Sequence, residues 1–405
     1  MTQPQTPVPP SAQTTASSES NTQAAPPANE IRVQLFARTD VGQVREHNED
    51  NFLVADLSRR SRGLLEANRA TVIGPQGAVF AVCDGMGGAA AGEIASQLAV
   101  DIIYERLVDG LGERPVKRDD LARRLVRAVE AAGLRIFHEA KADRSRRGMG
   151  TTVTAAALVD EMLFFAQVGD SRGYVLRNDT LTQLTRDQSL VNQLIEAGQL
   201  TEEEAETFEH NNIILQALGT SDTVQVDLTY AELRRGDILL LCSDGLSGMV
   251  RFEDIRETLR SGAEPLDICK ALTEKANQAG GHDNITVIIV QFDGESLKPV
   301  EAGDEALKYR KYILADDALE HEKTAPMPAI LGTAGALGAP LATTDGQART
   351  HSNPPAGWQE HGVHGDGQDY DRVDIPGTHV PIWMVIGIVA GVVVLLAGTA
   401  FLLLR

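Results

Sequence analysis

Four of the most apolar runs in this 405-residue chain stop or start on an aspartate, and no other feature restricts its fold as strongly. Ala78–Cys83 runs into Asp84-Gly85-Met86-Gly87-Gly88, and Phe164–Gly169 runs into Asp170-Ser171-Arg172. Ile238–Ser243 leads into Asp244-Gly245, while Gly280-Gly281-His282-Asp283-Asn284 leads into Ile285–Val290. Short apolar runs of this kind, bounded by turn residues, read as strands buried on both faces. One Asp before Gly is ordinary turn chemistry, since Asp bonds its own backbone and Gly accepts positive φ. Four at strand ends are a different matter, because carboxylates clustered without partners repel and raise one another's pKa. A cation removes that repulsion. Acids without thiolates or an imidazole pair select hard, oxygen-preferring ions, so magnesium or manganese is expected and zinc is not. The Gly85 carbonyl can join such a site, and Gly87 and Gly88 let the chain turn sharply beside it.

Strands are expected over 31–39, 78–83, 151–159, 162–168, 237–242 and 285–291, and long amphipathic helices over 89–108 and 119–141. Shorter helices are expected over 189–197, 252–260 and 265–279. Strands, then two helices, then many strands, then late helices is not the strict alternation of a parallel sheet, so the class is α+β in layers.

A further polar cluster, Arg45-Glu46-His47-Asn48-Glu49-Asp50-Asn51, precedes the apolar run Phe52–Ala55. Adjacent acids on a strand point to opposite faces, so Glu49 and Asp50 share one metal directly only where the backbone bends. Arg45 beside a cation site is a misplaced charge unless an anion also comes there, and a planar guanidinium suits phosphate through two parallel hydrogen bonds. Acids plus arginine therefore point to a phosphate substrate.

Outside 31–293 the chain changes character. Residues 1–30 are rich in Pro, Gln and Ser and cannot bury enough surface to offset chain entropy, so a disordered tail without an export signal is expected. Residues 294–380 lose periodicity and carry more acids than bases, which reads as a flexible acidic linker with a span of about 50 Å. Ile382 to Leu404 is 23 residues without a charge, inside the expected membrane helix 381–405. The expected location is thus a membrane crossed once, with the large domain on the cytoplasmic side. Asp plus Glu outnumber Lys plus Arg by 57 to 37, a net charge of -20 that argues against a nucleic-acid partner. Cys83, Cys242 and Cys269 are odd in number and widely spaced, which fits a reducing compartment and packing rather than disulfides or zinc.

Taken in order, the motifs resemble those of the metal-dependent protein Ser/Thr phosphatases, the type 2C family, in its bacterial form. They are Val44-Arg45 with Asn48-Glu49-Asp50, Asp84-Gly85-Met86-Gly87-Gly88, Gly148-Met149-Gly150-Thr151-Thr152 and Gly169-Asp170-Ser171-Arg172. Leu184-Thr185 with Asp187-Gln188-Ser189, Ala217-Leu218-Gly219, Ser243-Asp244-Gly245-Leu246 and Gly281-His282-Asp283-Asn284-Ile285-Thr286 complete the set. The resemblance implies a sandwich of two antiparallel sheets flanked by helices, α-β-β-α, with two Mn2+ or Mg2+ ions at one end. It implies that Asp84 bridges the ions, that Asp244 and Asp283 complete one, and that Glu49 and the Gly85 carbonyl complete the other. Asp50 then holds a water on the metal, Asp170 with Asp244 takes a third and weaker ion, and Arg45 clamps the substrate phosphate. The catalytic residues are Arg45, Asp50 and Asp84. A mobile flap is implied over 188–215, with Gln193, Glu196 and His210. Met86 stands where many eukaryotic relatives carry a histidine able to protonate the leaving group. The acid here is a water or a histidine from elsewhere, His47 or His138, and aryl phosphates, which need no such proton, should be hydrolysed readily. Phosphorylated proteins, Ser/Thr kinases among them, are the implied partners.

Overall fold

The computed structural model describes residues 30–63, 70–87, 91–205, 208, 212–301 and 304–314. The first half runs β1 (Ile31–Asp40), β2 (Asn51–Asp56), β3 (Ser61–Arg62), β4 (Ala70–Ile73), β5 (Ala78–Cys83), β6 (Gly85–Met86), α1 (Ala91–Val108) and α2 (Arg118–Ala142). Next come β7 (Gly150–Thr151), β8 (Val153–Val159), β9 (Met162–Val168), β10 (Arg172–Arg177), β11 (Thr180–Gln183), α3 (Leu190–Glu196) and α4 (Glu202–Ala205). The remainder is β12 (Asp227–Glu232), β13 (Ile238–Cys242), α5 (Asp244–Ser247), α6 (Phe252–Leu259), α7 (Pro265–Gln278) and β14 (Ile285–Asp293).

Two six-stranded sheets form, in the orders β11-β10-β13-β14-β1-β4 and β12-β9-β8-β5-β2-β3, and β6 pairs with β7 in a small ribbon. Neighbouring strands are antiparallel, as in β1 with β14 and β5 with β8. The apolar runs are continuous because both strand faces are covered. In β5, Ala78, Phe80 and Val82 point into the core between the sheets, while Val79, Ala81 and Cys83 point to the helices. The central core joins Val33, Phe80, Phe165, Val175, Leu239 and Ile288. On one outer face α1 and α2 bring Ala95, Ile103, Leu121, Leu125 and Val129, and on the other α6 and α7 bring Ile255, Leu259 and Leu272. Emptying such a site, for instance at fully buried Phe165, costs about 3–5 kcal/mol. The expected α-β-β-α sandwich is what the chain forms.

Antiparallel register collects the acids. Asn51 faces Cys83 and Val153 faces Val168, so the start of β2 and the ends of β5 and β9 share one edge of their sheet. In the other sheet Arg172 faces Cys242, Cys242 faces Val287, and Asp40 faces Ile285. Asp50, Asp84, Asp170, Asp244 and Asp283 each lie one or two residues beyond these pairs, at the same end of the sandwich.

Packing continues past residue 293, where the linker was expected to begin. Tyr312 N donates to Leu228 O at 2.8 Å and Tyr230 N donates to Arg310 O at 3.2 Å, so residues 310–312 line the open edge of β12. The Tyr312 ring meets Phe164 edge-on at 4.9 Å, and Leu314 is buried. Tyr309, Tyr312 and Leu314 carry this docking, while Ile313 stays exposed, and the surrounding charges hide it from a periodicity reading. Residues 1–29, 315–380 and the expected membrane segment 381–405 lie outside the described residues. Among the described residues no helix is long and apolar enough to cross a membrane.

Candidate metal centre

Asp50 is held most tightly. Its Oδ2 accepts from Ser243 Oγ at 2.8 Å and from Thr286 Oγ1 at 2.7 Å, and its Oδ1 is buried without a hydrogen-bond partner. Burial, only partly offset by these two hydroxyls and reinforced by Asp244 and Asp283, pushes its carboxyl up to about 8. Glu49, beside it in the loop before β2, diverges from it. Glu49 N donates to Asn284 Oδ1 at 2.8 Å, and its carboxylate lies against the first turn of α1. A Cβ on Gly92 would come within 2.4 Å of Glu49 Oε2, and one on Gly85 within 2.4 Å of the Glu49 and Gly92 carbonyl oxygens. Gly85 is therefore required by close approach of backbone, while a side chain at Gly92 would push the Glu49 carboxylate aside. Burial raises the Glu49 pKa against the pull of Arg45.

Asp84 is fixed through its backbone. Its N–H donates to Thr152 Oγ1 at 3.1 Å, and its carbonyl accepts from Thr152 N and Thr151 Oγ1, each at 2.8 Å. Its side chain lies against that of Asp244, and burial together with Asp50, Asp244 and Asp170 raises its pKa well above the usual range. Asp244 opens the single turn α5, and burial with Asp283 raises its pKa in turn. Asp170 follows Gly169, whose φ of +100° makes the turn; burial, then Asp244 and Asp187, pushes its carboxyl up to about 7. One oxygen on each of Asp170 and Asp244 is buried without a partner.

Arg45 reaches the same end. Its Nη2 donates to Asp283 Oδ2 at 2.7 Å, and although burial works against it, Asp283, Glu49 and Asp244 raise its pKa. Asp283 Oδ1 in turn accepts from Asn284 N at 2.9 Å. Among the described residues no three His, Cys, Asp or Glu side chains stand in a closed ligand cage. Asp283 bonds Arg45, and Asp50 bonds two hydroxyls. The expected residues Arg45, Glu49, Asp50, Asp84, Gly85, Asp170, Asp244 and Asp283 nevertheless meet here as neighbours.

Ser243, Thr286, Thr151 and Thr152, which hold Asp50 and Asp84, stand in the expected motifs without an expected role, whereas nothing in the sequence marks Gly92. The flap region roots beside Asp170, since Gly169 N donates to Gln188 Oε1 at 3.0 Å and Arg172 pairs with Asp187 at 2.8 Å. Glu196 in α3 pairs with Arg186 at 3.0 Å, Gln193 O closes the helix by accepting from Ala197 N, and His210 lies outside the described residues. Of the two histidines, His47 adjoins the site, its carbonyl accepting from Asn284 Nδ2 at 2.9 Å, while His138 sits on α2 beside Phe137. All three cysteines are free and buried, and burial raises their thiol pKa values.

A two-sheet sandwich with an arginine and a nest of buried acids at one end is the architecture of a metal-dependent phosphatase. The chain belongs to the Protein phosphatase 2C family, whose profile matches residues 58–279. It is 38% identical over 257 residues to the serine/threonine phosphatase stp of Listeria welshimeri, covering 63% of this chain and 94% of that one. Identity to the protein phosphatase PhpP of Streptococcus pneumoniae is 38% over 266 residues, 66% of this chain and 100% of the relative. The crystal structure of the catalytic domain of the phosphatase PstP in complex with two manganese ions is similar at 37% identity and a TM-score of 0.53, covering 65% of this chain and 99% of that one.

Proposed function

We propose that this chain hydrolyses phosphoserine and phosphothreonine in proteins with a water activated at a pair of manganese or magnesium ions. The observation that carries the reading is the set of buried carboxylate oxygens without partners, Asp50 Oδ1, Asp170 Oδ1 and Asp244 Oδ1, at one end of the sandwich. A buried unpaired acceptor is costly, and several acids together repel, so these oxygens fit hard divalent cations. The two manganese ions in the PstP catalytic domain support the same choice.

Asp84, Asp244 and Asp283 would hold one ion, Glu49, Asp84 and the Gly85 carbonyl the other, and Asp170 with Asp244 a third, weaker one. When bound, the ions offset the acids' charge, acidify water and neutralise charge on the transferring phosphoryl group. Asp50, with Oδ2 anchored by Ser243 and Thr286, keeps Oδ1 free to orient the attacking water and accept its hydrogen bond. Arg45, half-exposed and paired with Asp283, turns its parallel N–H donors to two phosphate oxygens as substrate arrives. Met86 has no proton to give, so the leaving alkoxide is protonated by solvent or by His47, and aryl phosphates bypass the need.

The uncharged run Ile382–Leu404 would tether this activity to the cytoplasmic face of a membrane, where it opposes membrane-bound Ser/Thr kinases. The test is hydrolysis of phosphothreonine peptides by the full chain with manganese or with chelator, alongside Asp84→Asn and Asp244→Asn. Turnover that survives chelation or either substitution sinks the reading. A chain ending at residue 380 that still sediments with membranes sinks the tether.

A further inference from the structure

At the far end of α1 lies a cavity of about 630 Å3, bounded by the last turn of α1, the loop 109–116 and the first half of α2. Its lining carries Arg106, Arg123, Arg124 and Arg127 against Asp109 and Asp120, a surplus of two positive charges (four minus two) in a chain of net charge -20. The loop is built rather than loose. Arg124 donates to the carbonyls of Asp109 at 2.8 Å and Gly110 at 3.3 Å, Arg60 donates to Leu111 O at 2.6 Å, and Gln76 Nε2 donates to Gly112 O at 3.1 Å. Arg123 pairs with Asp120 at 3.6 Å. Arg106 and Arg127 have no carboxylate partner among the described residues, although acids outnumber bases across the chain.

We propose that this cavity is a second phosphoryl site, which engages a phosphorylated residue of the substrate protein remote from the one being hydrolysed; it rests on the phosphatase reading above. Arg106 and Arg127, lining the cavity without a carboxylate partner beside Arg123 and Arg124, which are already bonded, leave a positive surplus that suits a dianionic phosphoryl group more than a single carboxylate. The geometry also sets a spacing. Gly92, at the start of α1, touches the Glu49 carboxylate, and Arg106 lies in the last turn. Fourteen residues of helix separate them, about 21 Å at 1.5 Å per residue. An extended peptide needs at least about six or seven residues to span that distance. A phosphoryl group held there raises the local concentration of the rest of the substrate without touching the chemistry, so it lowers KM and leaves kcat alone.

The experiment uses the full chain with manganese and three peptides: one phosphothreonine alone, the same with a phosphoserine ten residues away, and the same with a phosphoserine three residues away. The ten-residue spacing should lower KM about tenfold, an advantage worth about 1.4 kcal/mol. The three-residue spacing should give no gain. R106Q/R127Q, which changes only exposed side chains, should abolish the gain while kcat and aryl phosphate turnover stay unchanged. An identical KM with and without the distant phosphate, or a gain that persists in R106Q/R127Q, overturns the proposal. Fluorescence anisotropy of the labelled peptides in chelator reads the pocket independently of hydrolysis. Equal binding of the singly and doubly phosphorylated peptides there overturns it as well. Should no peptide be hydrolysed, the phosphatase reading fails, and the anisotropy still decides the pocket.

Discussion

Loading the acid nest with manganese should expel protons, so the affinity should climb with pH. Without a cation, burial and mutual repulsion hold the Asp170 carboxyl up to about 7 and that of Asp50 up to about 8, far above the ordinary 3.8. As pH rises above the ordinary value, the unfolded carboxyls ionise while the folded ones keep their protons. The folded state then binds more protons, so its stability is fullest at low pH and is lost progressively as pH rises toward 8. Ion binding requires the carboxylates, so each retained proton steepens the affinity by about tenfold per pH unit. Asp50 and Asp170 give up to about a hundredfold per unit below pH 7 and about tenfold between 7 and 8, and Asp84, raised well above its ordinary value, adds to the slope. Calorimetric titration of manganese at pH 6, 7 and 8, in two buffers with different heats of ionisation, counts the protons directly. Melting temperature without metal should fall from pH 6 to 8 and be restored by manganese. An affinity flat across this range, with no proton release, would refute the reasoning.

Gly92→Ala tests the close approach at Glu49. Helix propensity alone favours alanine by about 1 kcal/mol, so thermal stability should change little while manganese affinity drops at least tenfold, read by the same calorimetry. Arg45→Ala should raise KM for phosphopeptides by about tenfold or more with an unchanged melting curve, since a half-exposed ion pair contributes no more than about 1 kcal/mol. Arg177→Met removes a guanidinium that grips buried Asp237 at 2.7 and 3.0 Å, and urea unfolding should register a loss of about 3–5 kcal/mol.

The strand ends announced the site because covalent sequence and register agree there. Apolar runs that must bury both faces leave their polar residues only at the ends, and antiparallel pairing then brings Asp84, Asp170, Asp244 and Asp283 to one edge. The layers were legible for the same reason, through the helical spacing of Leu121, Leu125, Ala128, Val129, Ala132 and Ile136 in α2. The hairpin β10–β11 and the edge strand β12 were not, being short, mixed in polarity and dependent on neighbours. Gly92 and the Arg45–Asp283 bond were invisible too, because each depends on residues distant in sequence meeting in space.

The docking of residues 309–312 along β12 has a practical corollary. That stretch hems a raw border of backbone donors and acceptors, and Tyr309 fastens it further, bonding Asp227 at 2.6 Å beneath the Arg186 guanidinium. A version cut after Phe292 would lose the hem and offer its border to another copy. Such a trimmed protein should self-associate on gel filtration, whereas one ending after Leu314 should elute as a single species.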